Sequence, residues 1–468
     1  MLRIPSRQSW APESMLRIAE IGLLGALVLG VLAFGGTERL SFSLVQSLLL
    51  GLGLLLLATS PAAPGNKRGP LMMVPFFVVG VVLLQLAPLP VSLVQQVRRD
   101  GNWLPRGSLA PISLAPYETV SHLLLLLTFL AAFYLTRVLC QDRERMKRLV
   151  FALLALGSFE AFYGLVQYLT GWQQIFTYVK SVNLNEATGT YINRNHYAAL
   201  LGMILPFALG MAFYHVGQPR PAARRTAARL RTLIAETEVQ KLICWLFLAL
   251  VLFAALVFSR SRMGLLAAMA AIVTMGAVIS ASPRGRRRGW AGVVLFLAAA
   301  CGLVVWIGLD PVVARFQTLP GEYAGSDSGR GAIWLDTVRL IRQHPLLGSG
   351  LGTFPLAYPA AQTTFLGKRV NHAHNDYLEI TSDLGLLGAV ILFGSIFYLL
   401  VRLIRCFCAT GGHPRHAMAL SCAGSISTIL WHSLTDFNLY IPGNALVFSC
   451  VLGMGNSILQ EQDTRGRC

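Results

Sequence analysis

The chain has 468 residues, 54% of them hydrophobic and 13% charged, with a mean hydropathy of +0.59. A soluble domain carries about 25% charged residues, so composition excludes an ordinary soluble protein and indicates a polytopic membrane protein. The formal net charge of +18 does not indicate nucleic-acid binding, because the basic residues cluster in short segments between apolar runs, where they set membrane orientation.

A span needs about 20 mostly apolar residues, and twelve segments qualify, at roughly 18–34, 40–60, 70–90, 117–139, 149–170, 196–216, 242–258, 263–281, 290–309, 378–401, 417–434 and 439–459. The first has no clear small-residue cleavage site and is followed directly by further spans, so it reads as a retained span. With both termini cytoplasmic, the clusters Arg143, Arg145, Lys147 and Arg148, then Arg220, Arg224, Arg225, Arg229 and Arg231, then Arg284, Arg286, Arg287 and Arg288 all fall inside. They are expected to meet anionic membrane lipid. Cys140, Cys244, Cys406, Cys408 and Cys468 fall at cytoplasmic ends, and Cys301, Cys422 and Cys450 within spans. No disulfide framework is expected.

The expected class is therefore all-α: one membrane domain over 1–468, with a single long outer insertion at 310–377 between spans nine and ten. Smaller outer loops are expected at 91–116 and 171–195. Glu20 and Glu160 are the charged exceptions within spans, and no chain of acids suggests a proton relay.

Arg194 stands at the mouth of span six, beside Asn193, Asn195 and His196. Arg260 and Arg262 occupy the short outer turn between spans seven and eight, in SRSRMG. Such arginines either snorkel to the interface or bind an anion, and a guanidinium fork suits phosphate oxygens. Arg330 opens the helical pattern of the insertion. Within it, Ala332 to Gln343 places Ile333, Val338 and Ile341 near one face, and His344-Pro345 ends it. Gly348 to Phe354, GSGLGTF, reads as a turn that needs positive φ, since no strand precedes it and no Lys-Ser/Thr follows.

The segment Asn371 to Glu379, NHAHNDYLE, carries the densest chemistry. Asp376 and Glu379 have capping-box spacing at a helix start. His374, two residues ahead, faces the outer compartment, where an imidazole is a candidate general base. His372 is the weaker candidate. A metal held by His372, His374 and Asp376 is a poor alternative on so short a loop. His432 and Asp436, four apart at the end of span eleven, read first as a structural pair.

Three motifs in order, SRSRMGLLA, GRGAIWLDTVRLIRQHPLLGSGLGTF and HAHNDYLEITSDLGLLG, resemble the O-antigen ligase and O-antigen polymerase superfamily of bacterial envelope proteins. The resemblance covers roughly 193–392. It implies a multi-pass inner-membrane glycosyltransferase resembling the GT-C type, with its active face in the periplasm. Such enzymes move a glycan from undecaprenyl diphosphate to an acceptor hydroxyl, with lipid A–core as the acceptor of ligases and another glycan repeat as that of polymerases. The family's histidine falls on His374, its Ser-Arg on Ser261-Arg262 with Arg260 as an extra, and its next arginine on Arg330. Arg194 completes an expected diphosphate clamp, with His372, Asn375, Asp376 and Glu379 in support.

The leading expectation is an O-antigen ligase acting by inverting transfer, with no cofactor and no metal. A repeat-unit polymerase is the alternative within the same fold. A polysaccharide or lipid transporter is the alternative outside it, and would carry charge inside the bundle rather than at one face.

Overall fold

The computed structural model describes residues 12–59, 73–98, 107–216, 237–282, 329–364, 367, 369–410 and 414–464, with scattered positions between 292 and 302. Most of the expected ninth span, 290–309, and the start of the insertion, 310–328, lie outside these residues, as do Cys301 and Cys468.

Among the described residues there are fourteen α-helices. They are α1 (Glu13–Leu32), α2 (Arg39–Thr59), α3 (Val74–Leu86), α4 (Val91–Val97), α5 (Pro116–Leu139), α6 (Arg143–Thr170), α7 (Arg194–Val216), α8 (Thr237–Phe258), α9 (Arg262–Ala281), α10 (Arg330–Gln343), α11 (Phe354–Ala361), α12 (Asp376–Thr410), α13 (Pro414–His432) and α14 (Pro442–Thr464). The strands are two-residue pairs, β1 (Leu89–Pro90) with β2 (Leu109–Ala110) and β3 (Gln174–Ile175) with β4 (Tyr178–Val179), in the two smaller loops. The protein is an all-α, multi-pass membrane protein.

Nine of the described helices are long and apolar enough to cross a membrane. Two expected spans fall outside that set for different reasons. The α3 helix has 13 residues, about 20 Å at 1.5 Å each, which is short of a hydrocarbon core. The α13 helix is long enough but polar: Ser421, Ser425, Ser427 and Thr428 are all buried within the protein rather than turned to lipid. Hydropathy counts apolar residues and does not see such burial.

Local sequence explains the helix ends. Asp142 accepts a hydrogen bond from Arg145 N at 2.9 Å and starts α6, which stops at Gly171 with φ +71°. Ser261 accepts from Gly264 N at 3.2 Å and starts α9. Pro116 sits in the first turn of α5, where its missing N–H costs nothing.

The centre of the bundle is α7, packed against α13, α8, α9 and α6. Gly202 and Gly210 leave room for Thr428 and Ser421 of α13, the close approach that small residues permit between membrane helices. Pro206 lies inside α7 and leaves the carbonyl of Gly202 without its helical donor. Thr428 Oγ1 donates to that oxygen at 3.0 Å. Glu160, fully buried on α6, accepts from Thr190 N at 2.9 Å and Thr190 Oγ1 at 2.6 Å. It therefore anchors the 171–193 loop rather than standing free in the membrane.

The α12 helix is broken where the sequence suggested a continuous span. Gly385 has φ +70° and ψ 177°. A Cβ there would lie 2.2 Å from Leu346 O. The segment after α10 inserts at this break: Ser349 N and Gly350 N donate to the carbonyls of Ser382 and Asp383, and Leu386 N donates to Pro345 O. The freed backbone groups are thus satisfied by protein, as a membrane requires. All three glycines of the GSGLGTF turn have positive φ, +72°, +117° and +78° at Gly348, Gly350 and Gly352.

Candidate active site

The Asn371–Glu379 segment enters α12 through a cap that differs from the expected one. Asn375 Oδ1 accepts from Leu378 N at 3.1 Å, so Asn375 is the capping side chain. Its amide also donates to Leu434 O at 2.9 Å. Asp376 is fully buried and accepts from Ser433 Oγ at 2.6 Å and Leu439 N at 3.2 Å. It ties α12 to the turn between α13 and α14. Glu379 reaches back to Ala373 N at 2.7 Å and accepts from His372 Nδ1 at 2.8 Å. The two carboxylates therefore fix the histidine loop instead of forming a simple capping box.

His374 has φ +52°, a left-handed conformation in which histidine is among the enriched residues but still uncommon. The peptide before it is held on both sides. Trp334 Nε1 of α10 donates to Ala373 O at 3.0 Å, while Glu379 takes Ala373 N. Surroundings that over-determine a strained residue are typical of functional loops.

Around this loop three histidines meet one aromatic ring, and two of them approach one carboxylate. Asp436 Oδ1 lies 3.6 Å from His374 Nδ1 and 3.8 Å from His196 Nε2, and accepts from Phe437 N at 3.0 Å. His372 stacks on Phe437 with centroids 3.9 Å apart and planes at 9°. His374 and His196 meet the same ring edge to face, at 5.0 Å and 4.8 Å. His432 is fully buried, and neither of its ring nitrogens nor Asp436 Oδ2 has a hydrogen-bond partner among the described residues. Burial alone would raise the pKa of Asp436. The contact from His374 and the neighbouring His196 and His432 outweigh it and hold this carboxyl below the usual range. An ionised carboxylate beside Nδ1 favours the proton there and leaves Nε2 as the acceptor.

The arginines divide. Arg330 is the first residue of α10, one turn before Trp334, and its charge reaches His432. Arg262 is the first residue of α9. That turn lies directly on the first turn of α7, since a Cβ at Gly264 would be 2.5 Å from Ala198 Cβ. His196 projects from the same turn of α7. Arg260 has φ +54°, lies over the Tyr168 ring at 5.7 Å, and keeps its Nε buried without a hydrogen bond among the described residues. Arg194 is paired with Glu186, so much of its charge is already balanced.

The alternative of a metal held by His372, His374 and Asp376 has no converging geometry. His372 turns to Glu379, His374 to Asp436, and Asp376 to Ser433 and Leu439. Among the described residues no group of three or more His, Cys, Asp or Glu has metal-binding geometry. In α10 the buried side is Ile333, Asp336, Thr337 and Leu340 rather than Ile333, Val338 and Ile341. Asp336 shifts the stripe by accepting from Tyr358 Oη at 3.1 Å, Arg339 Nη1 at 2.6 Å and Thr363 Oγ1 at 2.8 Å.

Sequence reasoning missed several members. Phe437 carries no signal on its own. Asp436 was visible as a partner of His432, but α13 ends at His432, so helical spacing does not apply between them. Asp383 accepts from Gly352 N at 2.7 Å, Phe354 N at 3.1 Å and Tyr440 Oη at 2.8 Å, and Gln85 Nε2 donates to its carbonyl at 2.7 Å. This cluster shapes a polar cavity of about 260 Å³ whose lining includes Glu118, His122, Arg369, His372, Glu379 and Tyr440.

Residues 247–393 match a family model described as O-antigen ligase. The match spans Arg260, Arg262, Arg330, His372 and His374 and stops before Asp436. It supports the O-antigen ligase superfamily, and with it a membrane glycosyltransferase of the O-antigen ligase or polymerase type in general. A search of curated proteins returns no match.

Proposed function

We propose that the protein is an O-antigen ligase that transfers a glycan from undecaprenyl diphosphate to a hydroxyl of lipid A–core at the periplasmic face of the inner membrane. The observation that carries this reading is the approach of the Asp436 carboxylate to Nδ1 of His374, on a strained loop anchored by Trp334, one turn after Arg330. In the proposed step Nε2 of His374 takes the proton of the acceptor hydroxyl. The hydroxyl oxygen forms the new bond to the anomeric carbon while the bond from that carbon to the diphosphate oxygen breaks. Attack opposite the leaving group inverts the anomeric centre.

Undecaprenyl diphosphate is already an activated leaving group, and its departure needs charge stabilisation more than covalent help. Arg330 and Arg262 are assigned that role, with Arg260 beside them. Arg194, balanced by Glu186, is assigned to shaping the mouth of α7. His372, Asn375, Asp376 and Glu379 hold the base in place. The insertion at 310–377 is read as the periplasmic part of one membrane domain, with both termini cytoplasmic. The reaction needs no metal in this scheme, because the arginines supply the positive charge.

The test is transfer by purified full-length protein in detergent from an undecaprenyl-diphosphate-linked glycan to lipid A–core. Transfer by wild type, lost in His374→Ala at equal membrane levels, supports the reading. No transfer with pure substrates, or unchanged transfer by the variant, overturns it. A repeat-unit polymerase fits the same family match and differs in acceptor. A deletion strain separates the two: long glycan stranded on the carrier with bare lipid A–core indicates a ligase, whereas single repeats on the final acceptor indicate a polymerase.

A further inference from the structure

The polar cavity beside His372 adjoins an apolar groove of about 220 Å³, with His122 and Tyr440 lining both. The groove lies between α3, α5, α12 and α14, with Val74, Phe129, Ile396 and Phe448 among its walls. It follows α14 from Pro442 to Asn456, about 21 Å at 1.5 Å per residue. That is more than half of a hydrocarbon core of about 30 Å and less than the whole. Its inner end is polar, since Asn456 Oδ1 accepts from the buried Arg137 Nε at 2.9 Å. A chain lying in the groove is thus limited to roughly the reach of an acyl tail, far shorter than an undecaprenyl chain.

The upper cavity has its own chemistry. Its lining holds two carboxylates, Glu118 and Glu379, and one cation, the exposed Arg369, together with His122, His372 and Asn371. A carboxylate-rich wall disfavours a diphosphate and suits sugar hydroxyls, which donate to carboxylates and accept from amides and imidazoles. The arginines assigned to the diphosphate, Arg262 and Arg330, line neither space. His372, which lines the cavity, and His374 pack on the same Phe437 ring. His374 lines neither space, so the acceptor hydroxyl reaches it past the shared Phe437 ring from a sugar held beside His372.

We infer that the groove and cavity together bind the acceptor as an acyl-anchored glycolipid, with its chain along α14 and its sugar between Glu118, Arg369 and His372. The diphosphate carrier occupies the separate arginine side. This assignment rests on the transfer reading above and adds where the acceptor sits.

The experiment uses the full-length protein in detergent, with lipid A–core free of O-antigen as one ligand and undecaprenyl diphosphate as the other. Ser395→Phe places a ring in the groove from α12, and Glu118→Gln removes one carboxylate from the cavity. Ser395→Leu is the smaller plug if the phenylalanine variant does not fold. Direct binding is measured for each ligand, and KM for each substrate. The expected result is lipid A–core binding weakened about tenfold, with acceptor KM raised to match, while undecaprenyl diphosphate binding and donor KM stay unchanged. Unchanged acceptor binding in both variants, or selective loss of undecaprenyl diphosphate binding, overturns the assignment. Binding and transfer are read separately. A wild type that binds lipid A–core through this groove yet transfers nothing overturns the transfer reading alone. A wild type that transfers, with acceptor KM unmoved in the variants, overturns the groove alone.

Discussion

The carboxylate of Asp436 lies 3.6 Å from Nδ1 of His374, although the two residues belong to different turns at the ends of different helices. The same oxygen lies 3.8 Å from His196 Nε2. One buried acid therefore approaches imidazoles from a loop and from the first turn of α7, and its ionisation has consequences for both stability and rate.

Asp436→Asn is expected to lower transfer by about 10²-fold, because the amide no longer favours the proton on Nδ1 of the base. Its effect on stability should depend on pH with a defined sign. The folded-state pKa of Asp436 is depressed, so its contribution is complete above an unfolded value of about 3.9 and is lost as pH falls below it. Melting of wild type and variant in detergent, from neutral to acid pH, should give a constant gap above about pH 5 that closes below about pH 4. A gap that persists unchanged to the lowest pH would show that the negative charge is not its source.

His374→Asn separates strain from chemistry. Asparagine tolerates the left-handed backbone that His374 adopts with φ +52°, so the loop should keep its shape and its Trp334 anchor. The variant lacks a base, and transfer should fall by about 10²- to 10⁴-fold with melting and donor binding close to wild type. Full activity in a normally inserted His374→Asn protein would remove the histidine from the mechanism.

Arg330→Ala should lower kcat by about 10²- to 10³-fold, as expected for removing one group that stabilises a developing anion. Arg330→Lys should recover part of this, because it restores charge without the bidentate fork. Chelation with EDTA should leave wild-type turnover unchanged. If turnover is instead lost and then restored by a divalent cation, the charge stabilisation comes from a metal and the arginine assignment fails.

Much of this site was legible because it is local. Asn371–Glu379, Ser261-Arg262 and Arg330 each sit in a short segment whose residue types already indicate proton transfer or anion binding. What the sequence did not disclose depends on tertiary contact. His196, Phe437 and Asp436 acquire meaning only when α7 and the α13–α14 turn close around His374. Gln85 and Asp383 acquire it only when the glycine turn inserts at Gly385. Nine described helices meet the length and hydropathy of a span, and the shortfall from twelve has a related reason. Hydropathy registers the serines of α13 as polar and cannot register that α7 buries them. It likewise reads 378–401 as continuous, whereas Gly385 breaks that helix to admit the 345–350 segment.

Thr428 offers a test of the bundle centre away from the chemistry. Pro206 has no N–H for the Gly202 carbonyl, and Thr428 Oγ1 fills that place at 3.0 Å while also lying 3.1 Å from Gly424 O on its own helix. Gly424 makes the approach possible, since a Cβ there would sit 2.9 Å from Pro206 Cβ. Thr428→Val keeps the shape and removes the donor, leaving a carbonyl unsatisfied in an apolar interior. The expected loss is about 0.5–2 kcal/mol, measured by unfolding in detergent, with kcat unchanged once the protein is folded. Pro206→Ala supplies the missing N–H, so Thr428→Val should cost less in that background. If the two losses simply add, Thr428 is not compensating for the proline, and the α7–α13 contact is held by packing alone.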